Sequence, residues 1–124
     1  MLSYKDKLVL FQMQEFIEEI ESFQKRFGNQ YEDFISDIAY KNALSMSAMQ
    51  LGEIKKSLSD EFLSAYATYF KWDALRKLRN EFAHAYAMLD NQVIWDFAKE
   101  DMPELKAAIE KILFELNSLA FPHL

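Results

Sequence analysis

The residues best equipped for chemistry stand together in Arg79-Asn80-Glu81-Phe82-Ala83-His84-Ala85-Tyr86. This stretch places a permanent cation, an amide, an imidazole and a phenol close to one another. Imidazole titrates near neutrality and can accept or donate a proton. A guanidinium grips phosphate oxygens through a planar fork. Together they form a set suited to a phosphodiester. On an ideal helix, at about 100° per residue, Arg79 falls within roughly 60° of Trp72, Leu75, Phe82 and Tyr86. It is therefore expected to point into an apolar stripe, where an unpaired charge is costly and some partner must meet it. That partner could be a carboxylate, a set of carbonyls, a second subunit or a ligand phosphate. Asn80 and His84, four apart, share the neighbouring face. His84 lies roughly 140° from Arg79 on the same wheel. The two reach one ligand only if the helix loosens near Ala83 or two copies of the chain face each other. The bland alternative is an arginine held in a structural ion pair beside a surface histidine. His123, after Pro122, reads as an unremarkable tail residue.

The surroundings of this stretch are unusual for the chain. Net charge is −6, which argues against a general nucleic-acid coat that binds by neutralising phosphates. Yet Lys71, Arg76, Lys77 and Arg79 cluster with only Asp73 opposing them. Arg76 and Lys77 thus form a local basic edge that could bind a selected polyanion, or simply a solvated helix face. With no cysteine there is no disulfide and no thiolate metal site. The sequence contains no H-E-x-x-H, G-x-x-x-x-G-K or G-x-S-x-G pattern, and nothing calls for a metal or another cofactor. No apolar run reaches the length of a membrane span, and the first residues lack the apolar core of a signal peptide. A cytoplasmic location is expected.

The elements that must position these residues are helical. Two glycines and two prolines leave little material for hairpins, and 51% apolar residues can fill a core. A first helix is expected from about Tyr4 to Phe27, with Val9, Met13, Phe16, Ile20, Phe23 and Phe27 as its stripe. Lys25, Arg26 and Gly28 suit its C-terminal end. A second long helix is expected over 31–58, with Leu44, Ala48, Leu51, Ile54 and Leu58 inward and Met46 and Met49 off that line. Gly52 in its middle suggests close approach of another helix. Ser59 reads as an N-cap for a short helix over 61–70. The motif helix should span 72–86. A short helix over 93–99 brings Trp95 inward, and Asp101 with Glu104 suggests a new start for a last helix to about Asn117. The sum is a single domain over 1–124: an all-α up-and-down bundle of four main helices with one or two short ones.

The motif also carries a resemblance. Arg79, four residues, His84, one residue and Tyr86 resemble the signature of the HEPN superfamily, in particular its HepT-like branch. Trp72 resembles the lead-in to that motif. Leu51-Gly52-Glu53 with Leu58-Ser59 is similar to a family I-G-E-A-A-x-x-L-S segment. Trp95 followed by Met102-Pro103-Glu104-Leu105 is similar to its W…D-L-P-x-L run. Lys77 stands where the family usually has glycine, residues 87–90 depart from its aromatic-glycine continuation, and the stretch over 60–71 is longer.

The resemblance implies a metal-independent endoribonuclease working at a cleft between two protomers of a homodimer. RNA would supply its 2′-hydroxyl as nucleophile. His84 would move the proton, Arg79 would stabilise the phosphorane charge, and Asn80 would hold the imidazole or a phosphate oxygen. The substrate would be tRNA or mRNA. The implied partner is an MNT-type nucleotidyltransferase antitoxin that transfers AMP to Tyr86 and so blocks the site. The competing possibility is a non-catalytic, dimeric helical module that such an enzyme binds or modifies.

Overall fold

The computed structural model describes residues 2–83 and 88–120. Among them there is no strand, and the chain forms an all-α bundle. The main helices are α1 (Tyr4–Phe27), α3 (Ile38–Ile54), α5 (Asp73–Glu81) and α7 (Met102–Ala120). Short helices α2 (Tyr31–Ser36), α4 (Asp60–Ala65) and α6 (Asn91–Asp96) lie between them.

Helix α1 has the expected limits. The Ser3 hydroxyl accepts the Asp6 amide at its start, and Gly28 takes φ 125° at its end. That backbone region excludes most side chains and suits glycine. The buried line runs through Val9, Leu10, Met13, Ile17 and Ile20. Phe16, Phe23 and Phe27 only flank it, half-buried, so the core face is turned from the expected stripe.

The helix expected over 31–58 is broken. Asp37 adopts an extended conformation, and its carboxylate accepts the amides of Ala39 and Tyr40 at 2.9 and 3.4 Å. A side chain that caps a new helix competes with continuation of the old one. After Ile54 the chain tightens into a 3₁₀ turn over Lys55–Ser57. Ser59 then caps α4 by accepting the Phe62 amide. This helix stops at Ala65, short of the expected 70.

Helices α1 and α3 run antiparallel, because the pairs Tyr40–Gly28, Ser47–Glu19 and Ser59–Asp6 advance in opposite directions. Leu44, Ala48 and Leu51 of α3 meet the α1 line. At the far end, Tyr40 is fully buried with its ring edge-on to Phe34 and Trp95 and stacked on Phe27. Its hydroxyl donates to the Gly28 carbonyl at 2.8 Å. Burial, and then the charge of Asp33, pushes this phenol up to about 12.

The separate start expected at Asp101 is absent. Residues 91–120 form one helical run, interrupted by a wide π turn at Phe97–Asp101. The Met102 amide reaches back to the Phe97 carbonyl. The Ala98 carbonyl would then look to residue 103, which is proline and has no N–H. The Gln24 side-chain amide of α1 donates to that carbonyl instead, at 3.5 Å. Lys106 to Glu21 at 2.9 Å adds a second tie between α1 and α7.

Two contacts fix the end of the bundle that holds the motif. Gly52 of α3 lies against α5: a Cβ there would stand 3.1 Å from the Arg79 nitrogen and from the Leu75 oxygen. Asp6 is 2% exposed, and its carboxylate accepts from the Ser59 amide at 2.8 Å, the Ser59 hydroxyl at 2.6 Å and the Ser3 hydroxyl at 2.9 Å. Burial alone would raise its pKa, but the Ser59 and Ser3 hydrogen bonds and nearby Lys5 outweigh burial and lower it.

Replacing Gly52 by Ala gains about 1 kcal/mol of helix propensity. It also forces apart two backbones that cannot yield as a flexible side chain would, at about 1–3 kcal/mol. A net loss of about 1 kcal/mol is expected from denaturant titration. Asp6→Ala should cost about 2–3 kcal/mol, since it strands the Ser59 donors. Because the folded pKa of Asp6 is depressed, its contribution is present above the unfolded value near pH ~4 and is lost as pH falls through the folded value. The gap between parent and variant in urea titrations should therefore shrink on acidification.

Candidate functional site

Arg79 occupies the last turn of α5, where the structure overturns the expected orientation. The buried side of α5 is Leu75 and Leu78, with Trp72 just before the helix. Leu75, Leu78 and half-buried Phe82 centre roughly 70° away from Arg79 on the wheel. The guanidinium therefore lies at the rim of the apolar face, 48% exposed, and faces α3. Its Nε donates to Glu53 Oε2 at 2.6 Å. The other Glu53 oxygen pairs with Lys56. One carboxylate thus sits between two cations, and hydrogen bonds first from Lys56 and then from Arg79 hold it below the usual carboxylate range.

Gly52 and Glu53 act as neighbours on this helix. The missing Cβ lets the α5 backbone come close, and the next side chain then meets Arg79. Sequence reasoning passed over Glu53 and Lys56 as site residues. The available signals were a glycine in mid-helix followed by an acid, and a Glu–Lys pair three apart on an exposed face.

The regular helix ends at Glu81. The Phe82 amide bonds to the Arg79 carbonyl at 3.0 Å and the Ala83 amide to the Asn80 carbonyl at 3.1 Å, so the chain tightens there into three-residue turns. The regular helix that the wheel assumes thus does not extend past Glu81 among the described residues. His84 and Tyr86, like His123, lie outside the described residues. The ends of the segment that carries them are tied, because the Glu81 carboxylate accepts the Asp90 amide at 2.8 Å. Asp90 in turn caps α6 through the amides of Gln92 and Val93.

The remaining sequence candidates divide between two sides of α5. Asn80 is exposed beside Arg79. Arg76 forms a two-pronged ion pair with Asp73 on its own helix, at 2.6 and 3.0 Å. Lys77 lies about 160° from Arg79. It faces a cleft of about 260 Å³ with Leu78, Asp96, Phe97, Glu100 and Asp101. Arg79, Asn80 and Arg76 thus share one edge, whereas Lys77 looks onto an acidic wall. Among the described residues no group of three His, Cys, Asp or Glu side chains could hold a metal ion. Among them also, no helix is long and apolar enough to cross a membrane.

Two grooves lie on this side of α3, one reaching Arg79 through Glu53 and the other lined by Phe82 after α5. One, of about 490 Å³, is lined by Phe16, Met49, Gln50, Glu53, Ile54 and Lys56, among others. The other, of about 350 Å³, is lined by Asn42, Ser45, Met46, Met49, Phe82 and Leu89. Met46 is 54% exposed, off the buried line of α3 as expected.

The segments outside the motif all have structural work. Leu51 and Leu58 are core, and Ser59 is a cap gripped by Asp6. Trp72 is buried and donates from its indole nitrogen to the Tyr66 carbonyl at 2.8 Å. Trp95 stacks on Phe34, and Met102 and Leu105 are buried beyond the π turn.

Comparison with known proteins agrees with this pattern. A family model described as ribonuclease HepT-like matches residues 13–112. A Thermococcus cleftensis protein named "Probable ribonuclease HepT" is 32% identical over 110 residues, covering 89% of this chain and 96% of that protein. A Methanocaldococcus jannaschii protein named "Putative RNase MJ1216" is 28% identical over 111 residues, covering 90% of this chain and 89% of that protein. No solved structure matches significantly. The matched span takes in the Gly52–Arg79 contact, the motif and the π turn, and the chain belongs to the ribonuclease HepT-like family.

Proposed function

We propose that the protein is a metal-independent endoribonuclease of the HEPN type, acting as the toxin of a toxin–antitoxin pair in the cytoplasm. The observation that carries this is the Arg79 guanidinium, surface-accessible and oriented by Glu53, at the end of a helix that stops just before His84. Family membership supplies the activity class.

The reaction needs little from the protein beyond positioning, charge and a proton carrier. The RNA 2′-oxygen attacks the adjacent phosphorus, and the bond to the 5′-oxygen breaks. The proton leaving the 2′-hydroxyl passes to a base, and an acid protonates the departing 5′-oxygen. His84 serves in this proton transfer. Arg79 stabilises the extra negative charge of the phosphorane, where a prearranged cation is most effective. Asn80 orients the imidazole or a phosphate oxygen, and Arg76, held by Asp73, borders the same edge. The products are a 2′,3′-cyclic phosphate and a 5′-hydroxyl.

The working form in this proposal is a homodimer. The apolar groove that Phe82, shortly after Arg79 in the chain, lines with Met46 and Leu89 is the surface we assign to the second protomer. The two motifs would then face one another across a two-fold axis. An MNT-type nucleotidyltransferase would silence the site by transferring AMP to the Tyr86 hydroxyl, adding bulk and negative charge where a substrate phosphate must bind.

Mass spectrometry of tRNA and mRNA fragments after incubation with the protein and chelator tests the chemistry. Cyclic-phosphate and 5′-hydroxyl ends are expected from the parent, with loss of at least about 100-fold in rate for His84→Ala and for Arg79→Ala. If neither parent nor variants cut RNA while a nucleotidyltransferase still labels Tyr86, the protein is an interaction module instead. Sedimentation should show a dimer at micromolar concentration, and Met46→Glu should shift it toward monomer. A parent that sediments only as monomer would count against the shared cleft.

A further inference from the structure

The groove beside Glu53 has features that the cleavage chemistry does not use. It is lined by the apolar side chains of Phe16, Met49 and Ile54 together with polar Gln50 and Lys56. Glu53 belongs both to this groove and to the Arg79 ion pair, so groove and site are continuous. Two cations, Lys56 and Arg79, flank a single carboxylate at that junction and leave one net positive charge. The rest of the chain is strongly acidic, so this junction is a local attraction for anions.

We propose that the groove is a base-binding subsite. It receives a nucleobase of single-stranded RNA next to the scissile link, while a neighbouring phosphate rests against Lys56. Flat, polarisable bases suit a lining of ring, thioether and aliphatic carbon, and such contacts tolerate any base. The Gln50 amide offers a donor and an acceptor to a base edge. A paired duplex would keep its bases stacked inside, so unpaired RNA is the form that fits. The subsite rests on the ribonuclease assignment above, which it extends from the scissile phosphate to the neighbouring nucleotide.

The test measures binding apart from cleavage. A fully 2′-O-methylated single-stranded RNA, which lacks the nucleophile, is titrated with the full-length protein by fluorescence anisotropy, beside the same backbone made abasic. The parent should bind the base-bearing strand about tenfold more tightly. Gln50→Glu, at an exposed position, should erase most of that difference. Lys56→Gln should lower the slope of log affinity against log salt by about 0.7, as expected for one lost phosphate contact on a single strand. Thermal melts confirm that both variants remain folded.

Equal binding of abasic and base-bearing strands by the parent overturns the subsite, as do variants that match the parent. If the variants alter sedimentation and leave RNA affinity untouched, the groove is a protein contact and the subsite is likewise overturned. In each of these cases, continued RNA cleavage that depends on Arg79 leaves the ribonuclease assignment standing. A parent that neither binds nor cuts RNA overturns both.

Discussion

The structure depends on how closely α3 and α5 approach at Gly52. With hydrogen as the side chain, the α5 backbone comes within ordinary contact of α3. The next residue, Glu53, then meets Arg79 across the junction. The arginine is placed by two constraints of different kinds: steric contact sets where its backbone lies, and a carboxylate sets where its guanidinium points. Neither would suffice alone. An arginine at the end of a helix can take many rotamers, and a lone surface ion pair contributes little to holding two helices together. The Asp6–Ser59 contact supports the same end of the bundle by fixing the chain just after α3.

Much of this was legible as pattern, because helix ends and periodic burial are local properties. The run from Tyr4 to Phe27, the Ser59 cap and the meaning of Gly52 follow from residue types and short spacings. The break at Asp37 was not legible in the same way. Its neighbours continue an apolar period, and only the carboxylate's capture of the following amides ends one helix and begins another. The direction of Arg79 was missed for a related reason. A helical wheel reveals relative angles, but the centre of the buried face is set by what packs on it. Here Leu75 and Leu78 set that centre, leaving Arg79 on its flank. The turn at Ala83 was open to anticipation, because the wide angle between Arg79 and His84 on an ideal wheel required either a loosened helix there or a second copy of the chain.

The site also shows how an acidic chain can retain a local cationic function. Glu53 stands between Lys56 and Arg79, and a third cation, Arg76, is satisfied by Asp73. The paired acids keep these cations ordered without cancelling them all, so one net charge remains at the junction of site and groove. An acidic surround suppresses indiscriminate contact with nucleic acid, and a phosphate must reach the Arg79 edge to be rewarded. Selectivity of this kind comes from where charge lies, and the total of −6 conceals it.

The wide turn at Phe97–Asp101 has a consequence for how this fold tolerates change. A π turn is one surplus residue in a helix, and such a surplus can migrate along the chain by exchanging one hydrogen bond at a time. Here migration toward the C-terminus meets Pro103, which has no proton to exchange, and the orphaned Ala98 oxygen is already held by Gln24. The irregularity is thereby anchored. A residue inserted between Pro103 and Leu105 therefore cannot be absorbed by letting the bulge drift past the proline, and would instead rotate Leu105 out of the core.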